Sequence, residues 1–362
     1  MQILFTRLFI LTILAVFAPF SFASDKDDHA PKLAVTKVHG DLSVMVLGSG
    51  GPMAVSNGRA SAGYMIFTDG NPSPRFIMDV GGGTFQRLAQ SGTNIADLDM
   101  FLLSHLHADH TGDLTSVIKS LYFHNNMKGQ IRTRPVVIYG PDSTAYKGDP
   151  GTVYPNGELV FPSTTDYADE HYSLNGGSER YLNAFVPAIT NGAGTFSYEA
   201  HNLSSAWKPA SNPQVQVVYD DGTVNGLKVT SIAVNHGPVP AVAYRIDYKG
   251  HSIVYSGDTS SASDNMITLA QDADLLIYDT SITKDLPTTP VFHALHTTPE
   301  RMGQVAAAAN VKTLVLSHLT PVTEPRLAEV KAAIIANGFT GRIRVAADLK
   351  VYNLGDDDDH HH

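Results

Sequence analysis

A set of short apolar runs recurs along the chain, each giving way to a residue able to bind a metal. Met100-Phe101-Leu102-Leu103 precedes Ser104 and the stretch His105-Leu106-His107-Ala108-Asp109-His110-Thr111-Gly112. Leu227 to Val234 runs into Asn235-His236-Gly237-Pro238. Ser252 to Tyr255 leads into Ser256-Gly257-Asp258-Thr259, and Thr313 to Leu316 leads into Ser317-His318. Apolar, β-branched runs of this length bounded by Gly, Pro, Asn and Ser predict buried strands. Open α/β sheets collect their ligands at the C-terminal ends of strands. The pattern therefore predicts one site assembled from distant parts of the chain.

Polar punctuation completes the outline. Thr298-Pro299-Glu300 predicts a helix start, with Thr298 as N-cap and Pro299 at the first helical position. Tyr139 to Val218 is rich in Gly, Pro, Ser, Thr and Asn, yet carries Tyr146, Tyr154, Phe161, Tyr167, Tyr172, Tyr181, Phe185 and Phe196. It is too long for an ordinary connection and too aromatic for disorder. It is expected to be a cap over the site that shapes an apolar part of the pocket. Trp207 receives no place. Both halves of the chain show strands first and strand–helix alternation afterwards, a coarse duplication of layout.

The ends read differently. Met1 to Arg7, an apolar stretch from Leu8 to Phe22 and the small-x-small pattern Ser21-Phe22-Ala23 predict a secretory signal peptide over residues 1–23. A flexible leader (24–36), a single domain (37–354) and an acidic, histidine-bearing tail (355–362) would follow. A periplasmic or secreted location is expected, with no membrane association after signal cleavage. The chain has no cysteine, which removes disulfides, thiolate ligands and thiol nucleophiles.

The formal charge is −10, and −11 once Arg7 is lost with the leader; Asp356 to Asp359 account for four of those charges. Phosphate neutralisation needs Lys and Arg, and the sequence displays no basic cluster. A nucleic-acid partner is accordingly not expected.

The residue types name the chemistry. His105 and His107 lie two apart and point the same way in an extended segment. Asp109 and His110 follow where the chain turns, aimed at a second point. Imidazoles with a carboxylate are ligands for zinc or a similar divalent ion. No serine triad is evident.

The combination Gly48-Ser49-Gly50-Gly51-Pro52, Met78-Asp79-Val80-Gly81, HLHADH, NHGPVP, SGDT and SHL resembles the metallo-β-lactamase fold superfamily, over about Leu42 to Leu354. It is closest to the branch of tRNase Z and its arylsulfatase-like and phosphodiesterase relatives, whose His-Ser/Thr-Thr element is matched by His296-Thr297-Thr298. The resemblance implies an α/β fold: an αββα sandwich of two mixed β-sheets flanked by helices, with the metal site at the sheet edge. It implies two Zn²⁺ ions, replaceable by Mn²⁺, Fe²⁺ or Co²⁺. One would be held by His105, His107 and His236, the other by Asp109, His110 and His318, with Asp258 bridging. Asp79 would orient the loop without ligating. A metal-bridging hydroxide would be the nucleophile, oriented by Asp109. His296 would act as general acid or electrostatic clamp, with His293 near enough to share that role. The branch's usual acidic partner element is replaced by Tyr278-Asp279-Thr280, so Asp279 would orient His296.

The expected activity is hydrolysis of phosphodiesters or sulfate esters of small molecules. A lactonase or β-lactamase-like hydrolase of cyclic esters and amides, and a non-catalytic metal-containing binding protein, are the alternatives. A homodimer is expected only by analogy. Arg245 and Lys119 are candidates to meet an anionic group.

Overall fold

Every strand that carries a site residue is apolar on both faces, because helices cover the outside of a two-sheet stack. The computed structural model describes residues 33–143, 145–147, 158–206 and 214–355, with 145–147 and 158–160 described in backbone only. The expected signal peptide, most of the leader, the side chain of Tyr146, Tyr154, Trp207 and the tail beyond Gly355 lie outside these residues.

In chain order, the first half comprises β1 (Leu42–Gly48), β2 (Gly63–Thr68), β3 (Phe76–Val80), α1 (Thr84–Ser91), β4 (Met100–Leu102), α2 (Ala108–Thr111), α3 (Leu114–Met127), β5 (Val136–Pro141), a hairpin of β6 (Ala145–Lys147) and β7 (Glu158–Val160), α4 (Thr164–Tyr172), α5 (Leu182–Ile189) and β8 (Tyr198–Leu203). The second half comprises β9 (Gln216–Asp220), β10 (Lys228–Ala233), β11 (Val242–Tyr248), β12 (His251–Tyr255), α6 (Asn265–Leu269), β13 (Leu275–Asp279), α7 (Pro290–Leu295), α8 (Pro299–Ala308), β14 (Thr313–Ser317), α9 (Leu327–Ala336), β15 (Arg342–Val345) and β16 (Val351–Leu354).

Two seven-stranded sheets result, ordered β16-β1-β2-β3-β4-β5-β8 and β15-β14-β13-β12-β11-β10-β9. Each begins antiparallel and turns parallel, at β3–β4 in one and β12–β13 in the other. This is the duplication foreseen from the strand–helix alternation.

Alternation survives inside the apolar runs. In β1, Leu42, Val44 and Val46 face the second sheet, while Met45 and Leu47 pack beneath the outer helices. In β13, Leu275 and Ile277 face inward, and Leu276 and Tyr278 meet the helices on the other side. Side chains alternate between faces, so a strand covered on both must be hydrophobic throughout.

The segment from Tyr139 to Val218 is not a separate cap. Tyr139 lies within β5 and Val218 within β9, and β8 pairs in parallel with β5. The helices α4 and α5 join the layer over the first sheet: Ala168, Tyr172, Leu182 and Val186 share a buried cluster with Leu114, Val117 and Ile118 of α3. Tyr172 and Phe196 meet edge to face beside Tyr122. The Gly- and Pro-rich composition concealed two short amphipathic helices. Phe161 and Pro162 do approach the strand ends, lining a pocket of about 100 Å³ with Leu106, His107 and Pro240.

The turn before β16 is tied to the first loop by Asp348. Its carboxylate accepts from Ser49 N at 3.0 Å, Ser49 Oγ at 2.7 Å, Ala60 N at 2.8 Å and Arg87 Nε at 2.8 Å. Removing a shared acceptor leaves several partly buried donors unpaired. Asp348→Ala should lower stability by roughly 2–4 kcal/mol, measured as a reduced urea midpoint with an unchanged slope.

Candidate metal centre

The centre is built on a buried carboxylate that is not itself among the converging ligands. Asp79, at the end of β3, has φ of 52° and no solvent exposure. Its Oδ1 accepts from Ser104 N at 2.7 Å. Its Oδ2 accepts from Ser104 Oγ at 2.7 Å, His110 Nδ1 at 2.7 Å and the Tyr255 hydroxyl at 2.6 Å. The last of these reaches across from β12 in the other sheet.

The imidazoles around it are oriented by their outer nitrogens. With Nδ1–H of His110 committed to Asp79, its Nε2 faces inward. Ser104 Oγ donates to Asp79 and so accepts from His105 Nδ1 at 3.1 Å. His236 Nδ1 donates to the Leu295 carbonyl at 2.8 Å. Ser281 Oγ donates to Asp279 Oδ1 at 2.5 Å and accepts from His318 Nδ1 at 2.6 Å. In all four rings Nε2 is turned toward the others, and in the neutral ring it is the atom free to ligate. Such outer hydrogen bonds fix the tautomer that ligates metal.

Two groups form. His105 Nε2 lies 2.9 Å from His107 Nδ1, and His236 Nε2 lies 3.4 Å from the same atom. His318 Nε2 lies 3.1 Å from Asp109 Oδ2 and 3.3 Å from His110 Nε2. Asp258 stands between them. Its Oδ2 is 3.9 Å from His105 Nε2 and 4.0 Å from His236 Nε2, while its Oδ1 is 3.5 Å from His110 Nε2 and 3.4 Å from His318 Nε2.

These atoms fit divalent cations. Lone pairs and carboxylate oxygens converge, and Asp258 Oδ1 is buried with no hydrogen-bond donor. Burial alone would be met by donors; a cation satisfies all of these acceptors at once. A third grouping, Asp258, Asp279, His296 and His318, also lies close together. There both Asp279 oxygens are already engaged, by Ser281 and by His296 Nδ1 at 2.7 Å.

Electrostatics separate the two groups. Burial depresses His105 well below the ordinary imidazole range and brings His236 to about 4. At His110 burial acts the same way, but Asp258 and Asp79 outweigh it and drive the pKa well up. Asp258 is held far below the carboxylate range, since His318 and His110 overcome its burial. The second group is the more anionic surrounding.

The structure brings all seven expected ligand residues together, and puts His296 beside them, with Nδ1 3.9 Å from Asp258 Oδ2. His296 precedes α8, whose Thr298 side chain caps the backbone N–H of Arg301. His293 does not join: its Nε2 donates to the Pro287 carbonyl at 2.8 Å. Arg245 is spent on Asp247 and two backbone carbonyls, and Lys119 sits over the Tyr181 and Phe185 rings. Ser104, Tyr255 and Ser281 escaped the sequence reading. The two serines had a signal, as Ser104 abuts His105 and Ser281 lies two residues after Asp279; Tyr255 had none.

Glycines make room. A Cβ on Gly51 would lie 2.9 Å from Cε1 of His318, and one on Gly257 would lie 2.6 Å from Cβ of Ser104. Gly257 also has φ of 55°, which turns β12 so that Asp258 enters between the two groups.

Comparison with known proteins bears on the same residues. A family model described as a beta-lactamase superfamily domain matches residues 189–319, and one described as the anti-Pycsar protein Apyc1 matches residues 42–138. Ribonuclease Z of Mycobacterium avium is 30% identical over 321 residues, covering 85% of this chain and 96% of the relative. The chain belongs to the metallo-β-lactamase superfamily, in the ribonuclease Z branch. Ribonuclease Z of Mycolicibacterium paratuberculosis is similar at 29% identity over 319 residues, again 85% of this chain and 96% of the relative.

Among solved structures, the short form of human tRNase Z superposes with a TM-score of 0.56 at 19% identity, covering 86% of this chain and 98% of that one. The metallo-β-lactamase fold protein YhfI of Bacillus subtilis gives 0.55 at 21%, with the same coverages. These two share the αββα fold of the superfamily.

The relatives overturn one expectation. Phosphodiesters or sulfate esters of small molecules, with no nucleic-acid partner, do not suit a chain whose homologues are named for a ribonuclease. The error was physical. Net charge sums over the whole chain, including Asp356 to Asp359, whereas a polyanion meets only the local field.

Ser281→Ala removes the acceptor that fixes His318 while leaving every ligand in place. Metal affinity should fall by roughly ten- to a hundredfold, read by competition with a chromophoric chelator, with the urea midpoint of the metal-free protein changed little.

Proposed function

We propose that this protein is a metal-dependent RNA phosphodiesterase of the ribonuclease Z type. Two zinc ions would be held by His105, His107 and His236 and by Asp109, His110 and His318, with Asp258 shared. The observation that carries this reading is the His296–Asp279 pair set beside Asp258, in a chain 30% identical to a ribonuclease Z.

Divalent cations at such a centre supply Lewis acidity toward a phosphodiester and acidify water. The remaining work belongs to the chain. Burial would raise the Asp109 carboxyl, but its hydrogen bond with His318 prevails and holds it at about 2. An ionised Asp109 accepts a hydrogen bond from the attacking water and fixes its direction. Burial opposes charge on His296, and Asp279 more than compensates, lifting it to about 9. His296 is therefore an imidazolium at neutral pH. Its Nδ1 is tied to Asp279, which leaves Nε2–H to protonate the departing ribose oxygen. Asp79 and Ser281 hold the ligand rings and move no protons.

The deciding experiment is cleavage of a tRNA transcript with a 3′ extension by the zinc-loaded protein, with residues 356–362 removed. About two metals per chain are expected by elemental analysis, with cleavage abolished by chelation, restored by zinc, and lost in His105→Ala and Asp258→Ala. Intact RNA at full metal occupancy would overturn the proposal.

The His296 assignment has its own signature. The acid form exists below its raised pKa, so kcat should be sustained at neutral pH and fall as pH rises through about 9. Asp279→Asn removes the charge that raises it and should move this limb to lower pH. His296→Ala should cost roughly 10²–10⁴ in kcat with metal content retained.

A further inference from the structure

The chain's acidity leaves open how it would hold a polyanion away from the metals. The open side of the sandwich, where β15 and β16 form the edges of their sheets, bears on this. A groove of about 510 Å³ runs between them, lined by ten residues that include Arg342, Arg344 and Lys350 and no carboxylate. All three cations are exposed, and none makes an ion pair with a described residue. Some other surface basic groups are neutralised: Lys128, Lys228 and Lys249 are each paired with aspartate, whereas Arg75, Arg180 and Lys284 are exposed and make no ion pair with a described residue but do not gather in one groove. The groove also contrasts with the cavity of about 550 Å³ around Arg75, which Asp97, Asp99 and Glu199 share.

The three lie within the nine residues from Arg342 to Lys350, separated by apolar residues and Asp348, so they do not read as a basic cluster. Folding aligns them. Arg342 and Arg344 are two apart on β15 and so project to one side of it. Lys350 arrives from the turn into β16. The position is also fixed relative to the centre. Arg342 pairs with Thr313 and Arg344 with Val315 in the parallel register of β15 on β14, and His318 follows the end of β14. At about 3.3 Å per residue, Arg344 lies roughly 10 Å and Arg342 roughly 17 Å back along the strand from His318.

We propose that this groove is a docking track for the phosphate backbone of the RNA substrate, outside the catalytic centre. The inference rests on the RNA reading above. Unpaired, exposed arginines with no neighbouring carboxylate suit phosphate oxygens, which guanidinium binds bidentately. Their distance from His318 suits a strand that extends beyond the bond being cleaved. Charged edge strands also discourage sheet-to-sheet association, so protection of the β15 and β16 edges is the competing role.

The test uses the zinc-loaded full chain and the extended tRNA transcript. The variant is Arg342→Gln/Arg344→Gln/Lys350→Gln. Its control is Lys128→Gln/Lys228→Gln/Lys249→Gln, which makes the same change in net charge. Each lost phosphate contact flattens log kcat/KM against log salt by about 0.7 for single-stranded RNA. The groove variant should therefore show a slope shallower by about 2 and a lower kcat/KM at 50 mM salt, with the urea midpoint retained and the control close to wild type. Unchanged slope and rate in the groove variant, with wild type cleaving RNA, would overturn the docking track alone. So would self-association of the groove variant by sedimentation without a change in slope, which would assign the charges to edge protection. Failure of the wild type to cleave RNA would remove the RNA reading itself.

Discussion

The Asp79 carboxylate, closed off from water and surrounded by four donor groups, is the constraint on which the rest of this structure depends. An ionised group at that depth is tolerable only when its lone pairs are filled. Filling them fixes the backbone after β4 through Ser104, the ring of His110, and the position of β12 through Tyr255. One buried charge thus sets the ligand loop, the tautomer of a ligand and the spacing of the two sheets.

The imidazole cluster follows from the same logic applied outward. Each ring gives its polar hydrogen to a fixed acceptor, and those acceptors come from four different segments. The inward face gathers Nε2 atoms and carboxylate oxygens, an arrangement that positive charge, carried by protons or by a metal, would stabilise. The opposed behaviour of His236 and His110 reflects their surroundings. The first lies among other imidazoles, the second between two aspartates. Neither behaviour requires an unusual side chain, only burial and neighbours.

Much of this was legible in the sequence because the signals were local. An apolar run ending in His or Asp is both a strand and a ligand position, and four such runs were enough to place His105, His236, Asp258 and His318 at one edge. The capped start of α8 was equally local. The layer formed by α4 and α5 was not, since short helices with Pro187 and many small polar residues carry a weak period and are defined by what they pack against. Tyr255 was invisible for a related reason: its role comes from a sheet-to-sheet contact 176 residues away in sequence. The expectation of no nucleic-acid partner rested on net charge and on the lack of a basic cluster along the sequence, and Lys350 meets Arg342 and Arg344 only across the gap between β16 and β15.

The division of the ligands between the halves has a kinetic side. His110 and His318 stand 208 residues apart in sequence yet 3.3 Å apart in space. Closing so long a loop precedes any benefit from the contact, and proteins rich in distant contacts fold slowly. A cation therefore finds its full ligand set only after both sheets have formed and docked. It can trap the finished fold but cannot nucleate it, so bound metal would add to stability by binding the folded state rather than by speeding its formation.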